Sequence, residues 1–135
     1  MNNKNYFEKS YSISDEIVKK FAEVSGDKNP LHLDEQYARN TIFKGRIAHG
    51  ILIASFISSI IGNDFPGAGT IYVSQNLNFK KPIKIGDEIT IKIFIVKKFE
   101  KGRIELETRV VNQYNETVIT GNSIVIPPND FKVDI

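Results

Sequence analysis

The 135-residue chain contains no cysteine. That excludes disulfides, a thiolate nucleophile and any cysteine-ligated metal site, and it fits a reducing cytosol. Charge of one sign is also missing. Eighteen Lys and Arg stand against sixteen Asp and Glu, a net +2. So mild a balance gives no argument for nucleic-acid binding, although it does not oppose an anionic ligand. Nor is there a long apolar run. The richest stretch, residues 47–61, is interrupted by His49, Gly50 and three serines, and it is shorter than the ~20 residues of a membrane span. The opening MNNKNYFEKS lacks the apolar core of a signal peptide. No repeat, linker or low-complexity segment divides the chain. These absences lead us to expect one cytoplasmic domain over residues 1–135, with no membrane partner and no nucleic acid. A domain of this length buries roughly two thirds of its unfolded surface without covalent staples.

The chemistry is concentrated in residues 25–59, which hold both histidines, His32 and His49. Before them, residues 6–13 suit a short strand or an extended lead-in. Ser14 then reads as an N-cap, with Asp15 and Glu16 in a first turn that favours negative charge. Ile17, Phe21 and Val24 recur at helical spacing, and Gly26 is the expected stop, giving a helix over 14–25. Asp27-Lys28-Asn29-Pro30 is turn chemistry. His32 lies between Leu31 and Leu33. In an extended stretch it would point away from whatever the leucines bury. Asp34 can cap a short helix over 35–40, and residues 41–47 form a loop with Lys44, Gly45 and Arg46. From Gly50 to Ile61 apolar residues lie on every face, which marks a helix buried on most sides and stopped by Gly62-Asn63.

Beyond residue 70 the period changes to two. Strands are expected at 70–80, 88–98, 103–113 and 117–126, joined by turns short enough for antiparallel hairpins at Pro82–Asp87, Glu100–Gly102 and Tyr114–Glu116. Ile89, Ile91, Ile93 and Ile95 alternate with Thr90, Lys92, Phe94 and Val96, as in a sheet with one buried face. The tail, 127–135, is expected to be loosely held. The pattern fits an α+β domain, a twisted antiparallel sheet wrapped around one apolar helix. Its open edge would suit pairing with a second copy.

Asp27 and His32 can grip one water molecule between carboxylate and imidazole. Gly50, at a helix start, can offer an unpartnered N–H to a carbonyl and has no side chain to hinder it. Each has a plainer alternative: a turn aspartate, a hydrogen-bonded structural histidine, a packing glycine. We read His49 as structural. Lys44, Arg46, Lys80 and Lys81 offer charge to phosphates, or only a solvated face. The His spacing matches no common metal site, so no metal is expected.

The segment FAEVSGDKNPLHLD, residues 21–34, resembles the hydratase motif of the MaoC-like (R)-specific enoyl-CoA hydratases. Residues 47–52, IAHGIL, resemble that family's second signature, and FKKPI with Gly86-Asp87 resembles the strand and turn that follow. The similarity runs from about residue 10 to 127. It implies the hot dog fold and a homodimer. It implies reversible syn addition of water to a trans-2-enoyl-CoA, giving the (R)-3-hydroxyacyl-CoA, on short chains and with no cofactor beyond the CoA of the substrate. Carried over by position, Asp27 and His32 become the catalytic pair, the Gly50 N–H the oxyanion donor, and Ser58 a small hydroxyl on the central helix. Ser58 and Ile61 are expected to line the acyl pocket and limit its depth. Two other readings stay open: a hot dog acyl-CoA thioesterase, and a non-catalytic acyl-CoA-binding module.

Overall fold

The computed structural model describes residues 5–133. Its elements are β1 (Tyr6–Ser12), α1 (Asp15–Ser25), α2 (Pro30–Leu33), α3 (Glu35–Arg39), α4 (Gly50–Asn63), β2 (Ile71–Phe79), β3 (Glu88–Lys98), β4 (Ile104–Val111) and β5 (Thr117–Ile126). The Ser14 side chain accepts from the Ile17 N–H, and the Gly26 N–H closes α1 on the Ala22 carbonyl. Both ends of the first long helix therefore stand where local chemistry puts them.

All five strands form one antiparallel sheet in the order β1-β3-β4-β5-β2. β3, β4 and β5 make the expected meander. The expected hairpin across Pro82–Asp87 does not form, because β1 takes the free edge of β3 and β2 pairs with β5 instead. The residues between β2 and β3 are used elsewhere. Ile13 and Asp87 bond through their backbones, the Ala48 N–H donates to the Ile83 carbonyl at 2.7 Å, and Ile47 bridges to Lys84.

One face of this sheet packs on α4. Ile89, Ile91, Ile93, Leu106, Val110 and Ile119 meet Leu52, Ile53, Ile57, Ile60 and Ile61 in a single core. This is the hot dog arrangement. The alternation in β3 decides which face is buried: Ile89, Ile91 and Ile93 are fully covered and Ile95 nearly so. Alpha4 departs from expectation at its end. It runs on through Gly62 to Asn63, and although it is buried on most sides, as expected, one narrow face stays open. Ile51, Ser55, Ser58 and Gly62 form an exposed stripe, at the i, i+4, i+7, i+11 spacing of one helical face. The tail also differs, since Phe131 and Val133 pack on the core and Phe131 meets the Phe65 ring edge-on at 5.6 Å. Residues 134–135 lie outside the described residues.

At Gly121, on β5, there is no room for a side chain against β2. A Cβ there would lie 2.2 Å from the Asn76 backbone oxygen, which cannot rotate away as a side-chain tip can. Gly121→Val should therefore force β2 off β5 and cost about 1–3 kcal/mol, as overpacking does. Urea unfolding with an unchanged m-value would measure it.

Candidate active site

Three segments, far apart in the sequence, meet at the start of α4. The first is the corner from Asp27 to His32. Asp27 lies on an exposed turn, and its Oδ1 accepts from the Asn29 N–H at 3.4 Å. The Asn29 side chain in turn accepts from the Leu31 N–H. Pro30 opens α2 at its first position, where a missing N–H costs nothing. The stretch around His32 is thus a helical turn, not the extended run that the Leu-His-Leu alternation suggests. The helical turn makes His32 the buried member of the three, 9% exposed, while Leu31 and Leu33 are half-buried.

The second segment is Ile47 to Gly50. His32 Nδ1 lies 2.8 Å from the Ile47 carbonyl oxygen. A carbonyl only accepts, so Nδ1 carries the hydrogen and Nε2 keeps its lone pair. His49 Nε2 lies 2.9 Å from the Asp27 carbonyl oxygen and must likewise donate. The His32 and His49 rings stack with centroids 3.9 Å apart. One donor atom each from Asp27, His32 and His49 falls within 4.8 Å of the others. A tetrahedral zinc ion with ligands at roughly 2.0–2.1 Å wants them closer, at about 3.4 Å. Rings only 28° from parallel also aim their in-plane lone pairs side by side rather than at one point. The arrangement suits a water between carboxylate and imidazole better than a cation.

Burial holds the His32 imidazole below its ordinary pKa of 6.5, against the bond to the Ile47 carbonyl, which raises it; nearby His49 and Arg46 lower it further and Asp27 opposes them. Arg46 has a structural position. Its Nε donates to the His32 carbonyl at 2.7 Å and its Nη1 pairs with Asp15 at 2.7 Å. Lys81 is paired with Glu116. Of the four basic residues considered for phosphate contact, Lys44 and Lys80 are the exposed ones without such a role.

The third segment is the end of β2. A cavity of about 360 Å³ opens beside Gly50, lined by Phe43, Ile47, Gly50, Ile51, Phe79 and Lys80 among others. That volume falls in the range of small-ligand sites, roughly 300–1,000 Å³. Asp27 and His32 are not among the cavity's lining residues; the lining residue Ile47 is the one whose carbonyl bonds the His32 ring. Phe79 covers the helix start so closely that a Cβ on Gly50 would lie 2.4 Å from its ring. Phe79 is the site residue that sequence reading missed as a wall. The signal was present: Leu77 packs on the core, and in a strand residue 79 shares its face.

Ser58 and Ile61, expected to line an acyl pocket, lie away from the Gly50 cavity. At 100° per residue Ser58 is turned about 80° from Gly50 and lies on the exposed stripe. Ile61 returns to the Gly50 face but three turns deeper, 1% exposed in the core.

With this geometry in place, comparison with known proteins is direct. Residues 1–119 match the MaoC like domain family. The chain belongs to the MaoC-like domain family. An (R)-specific enoyl-CoA hydratase of Rhodospirillum rubrum is 39% identical over 117 residues, covering 87% of this chain and 81% of the relative. A 3-hydroxybutyryl-CoA dehydratase of Methylorubrum extorquens is 38% identical over 122 residues, covering 90% and 78%. Among solved structures, the R-hydratase PhaJ1 of Pseudomonas aeruginosa, in its unliganded form, superimposes with a TM-score of 0.90 at 39% identity, covering all of this chain and 88% of that one. The (R)-hydratase of A. caviae involved in PHA biosynthesis gives 0.89 at 36% identity, covering 95% and 98%. In this MaoC-like domain, the two histidine–carbonyl bonds described above join residues 27–32 to residues 47–49. Among the described residues no helix is long and apolar enough to cross a membrane.

Proposed function

We propose that the protein is an (R)-specific 2-enoyl-CoA hydratase, working on short acyl chains as a homodimer in the cytoplasm. One observation carries the reading: an Asp27 carboxylate within 4.8 Å of a His32 ring whose Nδ1–H is committed to the Ile47 carbonyl. That leaves the Asp27 carboxylate and His32 Nε2 as the acceptors for one water, near the amides that open α4. The hydratase relative at 39% identity and the dehydratase relative at 38% support it.

The reaction needs three services. Water must lose a proton as its oxygen attacks C3 of the enoyl thioester. C2 must gain a proton. The charge that moves onto the thioester oxygen must be held. The Asp27–His32 pair takes the proton from water and returns it to C2 on the same face, so addition is syn and atoms balance with a single water. The Gly50 N–H, at the positive end of α4, holds the oxyanion. A second copy is supported by the apolar surface left bare: the α4 stripe around Ile51 and the β2 edge at Ile71, Val73 and Phe79, each over 40% exposed.

Crotonyl-CoA tests the reading. Loss of the enoyl absorbance without thiol release, with the (R)-alcohol as product, is expected. Thiol release would replace the reading with a thioesterase, and binding without turnover would replace it with an acyl-CoA-binding module. Acidity gives a second measurement. His32 must be unprotonated to accept from water, and its pKa is lowered. The acid limb of kcat/KM should therefore fall below pH 6.5, with activity lost as pH drops through the lowered value. The sign for stability agrees: the unfolded chain takes up the proton first, so stability declines as pH falls past the ordinary value.

A further inference from the structure

We propose that His49 is a positioning residue that holds both members of the Asp27–His32 pair from one side chain. The inference rests on the hydratase reading and deepens it. His49 is 2% exposed, and it touches each part of the site. Its Nε2–H donates to the Asp27 carbonyl at 2.9 Å, across 22 residues of sequence. Its ring stacks on His32 at 3.9 Å and is backed by the edge of Phe21 at 4.9 Å. It immediately precedes Gly50, and although it occupies the N-cap of α4 its side chain makes no capping bond. The side chain is thus spent on the site and not on the helix.

Asp27 needs such a tie. Its own side-chain bond is the local one to the Asn29 N–H, which shapes the turn but does not fix it to α4. The bond from His49 fixes that turn to the element that carries the Gly50 amide. The stack does the same for the His32 ring, whose plane decides where its Nε2 points. His49 does not itself relay protons. Its Nε2 is committed to a carbonyl, and its Nδ1 is buried without a hydrogen-bond partner.

Two substitutions separate the bond from the ring. His49→Phe keeps a ring between His32 and Phe21 but loses the donor. His49→Gln restores a donor near the Nε2 position. The expected result for His49→Phe is a fall in kcat of roughly 10- to 100-fold, the scale of an ångström-sized misplacement, with KM changed less than about 2-fold. His49→Gln should recover kcat to within about 5-fold of wild type at an equal or lower Tm. Hydrogen exchange of the amides over residues 26–32 provides a readout independent of turnover. It should quicken in His49→Phe and slow again in His49→Gln. The proposal is overturned if His49→Phe retains wild-type kcat, if its loss lies in KM alone, or if both variants fold and His49→Gln is no better. Should His49→Phe not fold, a folded His49→Gln with kcat down more than 100-fold overturns it equally. Wild-type protein that leaves crotonyl-CoA unchanged would strike down the hydratase reading instead, and the exchange comparison would still judge His49.

Discussion

Asp27→Asn and His32→Gln should each lower kcat for crotonyl-CoA hydration by about 10²–10⁴, the worth of a placed proton-transfer group, with KM nearly constant. The two changes act on different atoms. Asn keeps the shape of Asp27, and its carbonyl oxygen can still receive the Asn29 N–H that bonds Oδ1, so the turn should survive while the charged acceptor for water is lost. Gln at 32 removes the ring that spans from the Ile47 carbonyl to the water. The double variant should be little worse than either single one, because the pair acts as a unit on one molecule. Additive losses would show the two side chains working separately. Circular dichroism and Tm close to wild type are required for the comparison to count.

The second large effect is expected at Gly50. Gly50→Ala keeps the backbone N–H, so the helix-end donor is nominally intact. Even so, its Cβ would lie 2.4 Å from the Phe79 ring and inside the cavity where a thioester carbonyl would approach. Loss of an oxyanion interaction costs roughly 10²–10³ in rate, and kcat/KM should fall on that scale. Phe79 is half-exposed at the end of an edge strand, so its ring can swing away and the fold should persist. Gly50→Ala combined with Phe79→Ala distinguishes the causes. If activity stays low after the ring is removed, the methyl obstructs the carbonyl. If activity returns, the obstruction was the displaced ring.

Much of this was legible along the chain, and most of what was not has a common origin. Local chemistry placed α1, because Ser14 and Gly26 act within one turn of their targets. The period-two run in β3 fixed its buried face for the same reason. The errors arose where a distant segment decided the outcome. The hairpin expected between β2 and β3 lost to β1, which pairs with β3 from 80 residues away in sequence, as at Ser10 and Thr90. One exception is local: Leu31-His32-Leu33 alternates as a strand would, but the adjacent Asn29 and Pro30 start a helical turn there. The burial of His32 depends on Ile47 and His49, which no local pattern reports. The pairing of Asp27 with His32 was legible because five residues and an Asn-Pro corner enclose it.

The strand order also governs how quickly the molecule can reach its working shape. Both edge strands join partners far along the chain, β1 with β3 and β2 with β5. Closing such large loops loses entropy before any contact rewards it, which places folding in the roughly millisecond-to-second class rather than with fast helical bundles. The ligand cavity draws on Phe43, Gly50, Phe79 and Ile119, so it is complete only after β2 has docked beside β5. Catalytic competence should therefore emerge with the slowest refolding phase, later than the helical signal.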